Sequence, residues 1–215
     1  MTMLNKIFDP DNFIFRPMGI LVDVLAFSLM WLFGSLTVIL YGPSTTALYD
    51  SMARCLSKRS LGGYGRYVES IKSNFKVACP AGLLTLAIYW ALLQGYNWFC
   101  TEAAQGGARY ALYIAYCIFL IVIGGITAYL FPVLSRFEFR LGGLLAASLK
   151  LALSHPLTTL LLGLLTSLCV ATGLNFWPAV FVLPYLWARL ACLLLERVFQ
   201  PFMEPPAEQE SLTGE

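Results

Sequence analysis

The sequence predicts an all-α, polytopic membrane protein with about five transmembrane helices joined by amphipathic cytoplasmic connecting helices. The chain has 215 residues, of which 59% are hydrophobic and only 12% are charged, and its mean hydropathy is +0.72. Soluble domains are about 45–50% apolar and about 25% charged. Four windows contain no Asp, Glu, Lys or Arg, and each is longer than the roughly 20 residues needed to cross a bilayer. These windows are 24–49, 77–101, 110–135 and 151–188. Such a pattern excludes a soluble enzyme, a nucleic-acid-binding domain and a disordered protein.

Glycine and proline positions divide the apolar windows into spans. The first span lies between Pro17 and the Gly42-Pro43 break. The last window, 151–188, would be about 57 Å long as one straight helix, nearly twice the thickness of the hydrocarbon core. It is therefore predicted to fold back at the turn-forming segment 173–178. The predicted spans are 18–41, 78–99, 109–134, 156–173 and 178–195.

The predicted domain organisation has three parts. An extracytoplasmic N-terminal segment covers 1–17, a single transmembrane helical domain covers 18–198, and a disordered cytoplasmic tail covers 199–215. The tail is acidic and poor in apolar residues, a composition that does not form a core. Short loops rich in Lys and Arg face the cytoplasm, so the basic residues predict an N-terminus outside and a C-terminus inside. The basic residues of the cytoplasmic side are Arg54, Lys58, Arg59, Arg66, Lys72, Lys76, Arg136, Arg140, Lys150, Arg189 and Arg197.

The cytoplasmic connections show helical periodicity of their own. Helices are predicted over 45–58, 65–77 and 140–154. In the second of these, Val68 and Phe75 fall on an apolar stripe, while Lys72 lies on the opposing charged side. Helices of this kind lie at a bilayer surface with basic residues toward the headgroups, or they pack on the bundle or on a partner protein.

Two groups of charged residues are candidates for function. Asp23 lies inside the first predicted span, where an ionisable group is costly. It either forms an interfacial pair with Arg16 or Arg109, or it serves a ligand or a proton. Arg136 and Glu138 follow the third span, where an arginine binds a carboxylate or a lipid phosphate through its planar fork. They form a helix-end anchor, or they contact a cytoplasmic partner.

Hydroxyl residues follow the Gly42-Pro43 break. Thr45, Thr46 and Tyr49 either satisfy free backbone groups at a helix start or hydrogen-bond a polar ligand. The six cysteines are scattered singly, which is typical of packing residues, and His155 is the only histidine. We therefore predict no catalytic residue, no cofactor and no metal site, and a non-enzymatic protein.

Three segments carry a resemblance to a known family. They are Ser44-Thr45-Thr46-Ala47-Leu48-Tyr49, the stretch from Ser70 through Lys72 and Phe75 to Lys76, and the F-P-x-L-x-R-F-E segment ending at Glu138. In this order, over about 8–198, the chain resembles the YesL family of bacterial membrane proteins, also called domain of unknown function 624. The resemblance implies a small multi-helical plasma-membrane protein, commonly encoded beside sugar ABC importers and polysaccharide-degrading enzymes. No catalytic residue is defined for the family, so none is carried over.

These observations favour an accessory component of carbohydrate ABC-type uptake, with the sugar assignment implied by the resemblance alone. The expected partners are the lipid bilayer and either sugar ABC transporter subunits or a homo-oligomer, with no nucleic acid. A small independent transporter and a scaffold for envelope glycan metabolism remain alternatives. The central parts of the predicted spans favour the accessory role, because they hold only a few modestly polar residues. These are Thr85, Gln94, Thr127, Thr166 and Ser167.

Overall fold

A computed structural model describes residues 15–57, 63–104 and 106–200, and every regular element in these ranges is helical. The all-α class is therefore confirmed. The predicted N-terminal segment up to residue 14 and the predicted tail from residue 201 lie outside the described residues. The helices are α1 (Phe15–Leu36), α2 (Tyr41–Ser57), α3 (Gly63–Ala103), α4 (Ala108–Ala128), α5 (Leu130–Arg136), α6 (Leu141–Ser154), α7 (Pro156–Asn175) and α8 (Leu183–Phe199), with a 3-10 turn at Trp177–Phe181 before α8.

Three helical segments of the described chain are long and apolar enough to cross a membrane. They are Gly63–Ala103, Ala108–Arg136 and Pro156–Asn175, and they contain the second, third and fourth predicted spans. The predicted count of five is not confirmed, because the first and fifth spans differ from the structure. α1 ends at Leu36, where the backbone turns over the next four residues, and Val38 has a φ of 53° in this turn. α8 has only 17 residues and follows the 3-10 turn.

The predicted connecting helix 65–77 and the predicted span 78–99 form one continuous helix. α3 has 41 residues and contains Pro80 without a break. At about 1.5 Å per residue it is about 62 Å long, roughly twice the hydrocarbon thickness. Proline usually ends or kinks a helix, but the backbone around Pro80 is held against α2, because Ala78 and Gly82 contact Gly42. About half of α3 is therefore long enough to cross the hydrocarbon core, and the other half extends beyond it.

α2 lies at the centre of the fold. All residues from 42 to 53 are buried, and α2 contacts α1, α3, α5 and α8. A helix was predicted here over 45–58, at the bilayer surface or packed on the bundle, and the structure packs it on the bundle. α1 and α2 form an antiparallel hairpin whose outer helix exposes apolar side chains. These are Leu21, Val22, Leu25, Phe33 and Leu36.

Two pairs of glycines allow helices to approach closely. Gly42 of α2 faces Gly82 of α3, and a Cβ added to Gly42 would lie 2.0 Å from the Ala78 carbonyl oxygen. Gly125 of α4 faces Gly163 of α7 in the same manner. Small residues at such crossings are typical of helix packing in membranes, where backbone approach replaces the hydrophobic effect.

Candidate functional site

The hydroxyl residues at the start of α2 bind its own backbone. The Thr45 hydroxyl donates to the Tyr41 carbonyl at 2.7 Å, and the Thr46 hydroxyl donates to the Gly42 carbonyl at 3.0 Å. Thr45 also accepts a hydrogen bond of 3.0 Å from the indole N–H of Trp31. Both threonines are buried, so their side chains stabilise the helix start and its contact with α1.

Further along α2, the buried Tyr49 belongs to a cluster with the partly buried Arg136 and Glu196. Its hydroxyl donates to Glu196 Oε1 at 3.2 Å. Arg136 donates to the same oxygen from Nε at 3.0 Å and from Nη2 at 2.6 Å. The cluster therefore joins α2, the end of α5 and the end of α8, and it occupies Arg136 inside the protein. Glu138 is exposed in the segment after α5 and is not part of this cluster.

Burial controls the protonation of this tyrosine. Removal from water raises the pKa of the Tyr49 hydroxyl above its ordinary value, and the nearby Cys192 and Glu196 raise it further. The hydroxyl therefore stays neutral and remains a hydrogen-bond donor to the carboxylate. The cluster is suited to holding three helices together, because its hydroxyl, guanidinium and carboxylate groups already bind each other.

A second ion pair joins α2 to α3. Asp50 is 3% exposed, and its Oδ2 accepts a hydrogen bond of 3.2 Å from Nε of Arg66. Arg66 also binds the exposed Glu69 at 3.2 Å. Sequence analysis did not single out Asp50. The available signal was a carboxylate directly after the S-T-T-A-L-Y segment, on what proves to be a fully buried helix.

Asp23 accepts a hydrogen bond of 2.7 Å from the Tyr64 hydroxyl, and the Tyr64 ring stacks on Phe27 at 4.9 Å between centroids. Asp23 was expected at the outer face with Arg16 or Arg109, whereas the segment near Gly63 was expected inside. A hydrogen bond between Asp23 and Tyr64 requires both residues to lie on the same side of the membrane. The two expectations therefore cannot both be right. Arg109 instead binds Glu102 at 2.8 Å near the start of α4.

The remaining predicted residues lie on an open surface. Lys72 and Phe75 are both exposed on the first half of α3, where Val68 is 45% exposed beside them. They lie apart from the Tyr49 cluster and from Asp23. The structure thus brings together Tyr49 and Arg136, and leaves Lys72, Phe75 and Glu138 available for external contact.

A cavity of about 510 Å³ lies between α1, α2, α3, α4, α5, α7 and α8. Its walls are mainly aromatic and aliphatic, and its mouth lies beside Val170, Leu174 and Trp177, which are 50%, 68% and 79% exposed. The residues that line it include Trp31, Tyr41, Thr45, Leu48, Tyr89, Thr127, Phe131, Thr166, Gly173, Val180, Leu183 and Trp187. The sequence pattern does not reveal this site, because its residues come from seven helices and the 3-10 turn.

Six polar side chains of the cavity wall form three hydrogen-bonded pairs. Trp187 Nε1 donates to Thr166 at 3.0 Å, and the hydroxyls of Tyr89 and Thr127 share a hydrogen bond of 2.8 Å. Trp31 and Thr45 form the third pair, described above. Each threonine also donates to a backbone carbonyl of its own helix. Among the described residues, no group of three or more His, Cys, Asp or Glu is placed to hold a metal ion.

One comparison with known proteins identifies a relationship. Residues 24–96 match a protein-family model described as "Protein of unknown function, DUF624". The matched stretch contains most of α1, all of α2 and α3 as far as residue 96, and therefore both the hairpin and the long helix. The predicted family resemblance is confirmed by this match. No curated protein and no solved structure matches the chain.

Proposed function

We propose that this chain, whose residues 24–96 match the DUF624 family model, is a non-enzymatic accessory component of carbohydrate ABC-type uptake. The observation that carries the proposal is a contrast within the described chain. Six polar side chains of the largest described cavity wall are bound to each other in pairs, whereas the first half of α3 presents an open surface of mixed apolar and basic character. The carbohydrate part rests on the family resemblance.

The interior is poorly suited to passing a sugar. A sugar path needs polar side chains that are free to replace water around the hydroxyl groups. The cavity threonines are already bound to Trp31, Trp187 and Tyr89. Arg136 is likewise bound to Glu196. These pairings favour an accessory role over an independent permease.

The open surface is suited to a partner protein. Val68 and Phe75 expose apolar area on α3, and Lys72 stands next to them. Exposed apolar groups bordered by charge are typical of interaction sites. An acidic and apolar cytoplasmic surface of an importer subunit is the complementary partner.

The proposal includes a location in the bacterial plasma membrane and an orientation of the helices. Lys72 and Lys76 near the start of α3, and Arg140 and Lys150 between α4 and α7, put these ends on the cytoplasmic side. The C-terminus then lies inside, because the end of α8 is bound to Arg136. The N-terminal end of α1 is reassigned to the cytoplasmic side as well, because Asp23 binds Tyr64 at the start of α3. The α1–α2 hairpin therefore enters and leaves from the cytoplasm.

Affinity purification from native membranes in mild detergent, followed by mass spectrometry, tests the proposal. We expect ABC importer subunits to accompany the wild-type protein in near-equal amount. The double variant Lys72→Ala/Phe75→Ala should lose them. The matched control Leu149→Ala/Lys150→Ala, which removes an exposed apolar–basic pair from α6, should retain them.

The other outcomes assign other functions. Recovery of the protein alone, together with sugar uptake into liposomes that contain only this chain, would overturn the accessory role in favour of a transporter. Recovery of glycan-synthesising or glycan-degrading enzymes would indicate a scaffold for envelope metabolism instead.

A further inference from the structure

We propose that the cavity between α2 and α7 binds the acyl chain of a membrane lipid, which enters sideways from the bilayer. This site is independent of the carbohydrate role, since it concerns the interior of the bundle and not the open surface of α3. The inference rests on the size of the cavity, the position of its mouth and the chemistry of its walls.

The cavity is large enough for a ligand. Its volume of about 510 Å³ falls within the range of roughly 300–1,000 Å³ that is usual for small-molecule sites. Its innermost wall includes Leu48 and Thr45, which lie on the fully buried part of α2. A molecule that contacts these two residues is therefore inside the protein and not on its surface.

The mouth opens toward lipid. Val170 and Leu174 are exposed near the end of α7, which is one of the three candidate membrane spans. Trp177 follows at the start of the 3-10 turn and is 79% exposed, and tryptophan is typical of the region where hydrocarbon meets headgroups. The mouth is continuous with the apolar outer face of α7, where Leu164 and Leu168 are also exposed.

The wall chemistry selects hydrocarbon over sugar. Three of the polar side chains in the wall are threonines that already donate to backbone carbonyls and are bound by Trp31, Trp187 or Tyr89. A sugar in this cavity would lose water from several hydroxyl groups without equivalent partners, and each such loss is costly. An acyl chain has no such groups. It gains dispersion contacts with the aromatic walls instead.

Photo-crosslinking of the full-length protein in phosphatidylglycerol bilayers tests this proposal. The probe is phosphatidylglycerol that carries a diazirine in the middle of one acyl chain, and adducts are located by mass spectrometry. We expect adducts on Tyr41, Thr45 or Leu48 in addition to adducts on the exposed Leu164 and Leu168. Surface lipid does not reach Thr45 and Leu48, because both are buried within α2.

A cavity-filling variant and a matched control make the result specific. Gly173 lines the cavity, and a Cβ added there meets nothing nearer than 3.8 Å, so Gly173→Phe enters the empty volume. Gly142→Phe makes the same change on α6, at a glycine with no atom within 4 Å of an added Cβ. We expect α2 adducts to fall to background in Gly173→Phe and to persist in Gly142→Phe. Adducts on Leu164 and Leu168 should persist in both, which shows that each variant is folded in the bilayer.

Three results would overturn the proposal. One is the restriction of wild-type adducts to exposed residues such as Leu164 and Leu168. Another is the persistence of α2 adducts in Gly173→Phe. The third is labelling of α2 by a diazirine-bearing polyprenyl phosphate but not by the acyl probe, which would assign the cavity to an isoprenoid lipid.

Discussion

The close approach of α4 and α7 gives the sharpest stability prediction. Gly124 and Gly125 are adjacent and both buried, and both face the backbone of α7, but only Gly125 is too close to it to accept a Cβ atom. A Cβ added at Gly125 would lie 2.2 Å from the Thr159 carbonyl oxygen, whereas one at Gly124 meets nothing nearer than 3.8 Å. We therefore expect Gly125→Ala to lower the free energy of unfolding and Gly124→Ala to leave it unchanged or raise it.

The structure sets the size of this difference. The Thr159 carbonyl must retreat by 1.2 Å to reach an ordinary contact of 3.4 Å. It has little freedom to do so, because the Thr159 hydroxyl is bound to the Ala152 carbonyl at 2.7 Å. Overpacking of this kind costs about 1–3 kcal/mol. Both variants gain about 1 kcal/mol of helix propensity. This common gain cancels between them, so the two unfolding free energies should differ by about 1–3 kcal/mol.

Equilibrium unfolding in mixed detergent micelles, followed by far-UV circular dichroism, measures the difference. The paired design removes effects of detergent and of the unfolded state, because the two glycines are neighbours on one helix. Equal unfolding free energies for the two variants, or a more stable Gly125→Ala, would refute the close packing of α4 on α7.

Three further predictions concern buried charges and backbone strain. Arg136→Ala should destabilise the protein by about 1.5–3 kcal/mol, because it removes charge-assisted hydrogen bonds to the partly buried Glu196, whereas Arg109→Ala at the more exposed pair should cost less than about 1 kcal/mol; equal losses in chemical denaturation would contradict the deeper placement of the Arg136 pair. Asp50→Ala should lower the midpoint of thermal unfolding more than Glu69→Ala, since both bind Arg66 but only Asp50 is buried; a larger effect at Glu69 would be inconsistent with a central α2. Val38→Gly should stabilise by about 1 kcal/mol, because a β-branched residue at positive φ carries roughly that strain; a loss of stability would argue against this turn geometry.

The spans that were predicted well are those whose signal is local. α4 and α7 each follow from an uncharged apolar window bounded by turn residues. The Tyr49–Glu196 hydrogen bond was not predictable in the same way, because its partners are 147 residues apart in sequence. Arg136 was expected to bind a carboxylate or a phosphate, but only the folded chain identifies Glu196 as its partner, 60 residues away.

Helix boundaries were predicted wrongly where the sequence signal is ambiguous. The window around residues 36–41 contains no charged residue, glycine or proline, so no strong signal in it marks the turn after α1. Pro80 marked a boundary that the structure lacks, since packing of Ala78 and Gly82 against Gly42 keeps α3 continuous. The cavity also could not be predicted from local sequence patterns. Its lining residues are spread over seven helices and look like ordinary apolar positions in each.

Thiol labelling from the two sides of the membrane most directly tests the central claim that the α1–α2 hairpin enters and leaves from the cytoplasm. Single cysteines replace Leu21, Gly65 and Ala104 in a background without the native cysteines, and a membrane-impermeant maleimide is added to intact cells or to inverted vesicles. All three positions are exposed, and Leu21→Cys keeps the Asp23–Tyr64 hydrogen bond intact. The topology predicts labelling of Ala104→Cys in cells, and of Leu21→Cys and Gly65→Cys only in inverted vesicles. Labelling of Leu21→Cys in intact cells, with Gly65→Cys protected there, would contradict the hairpin and restore α1 as a full membrane span.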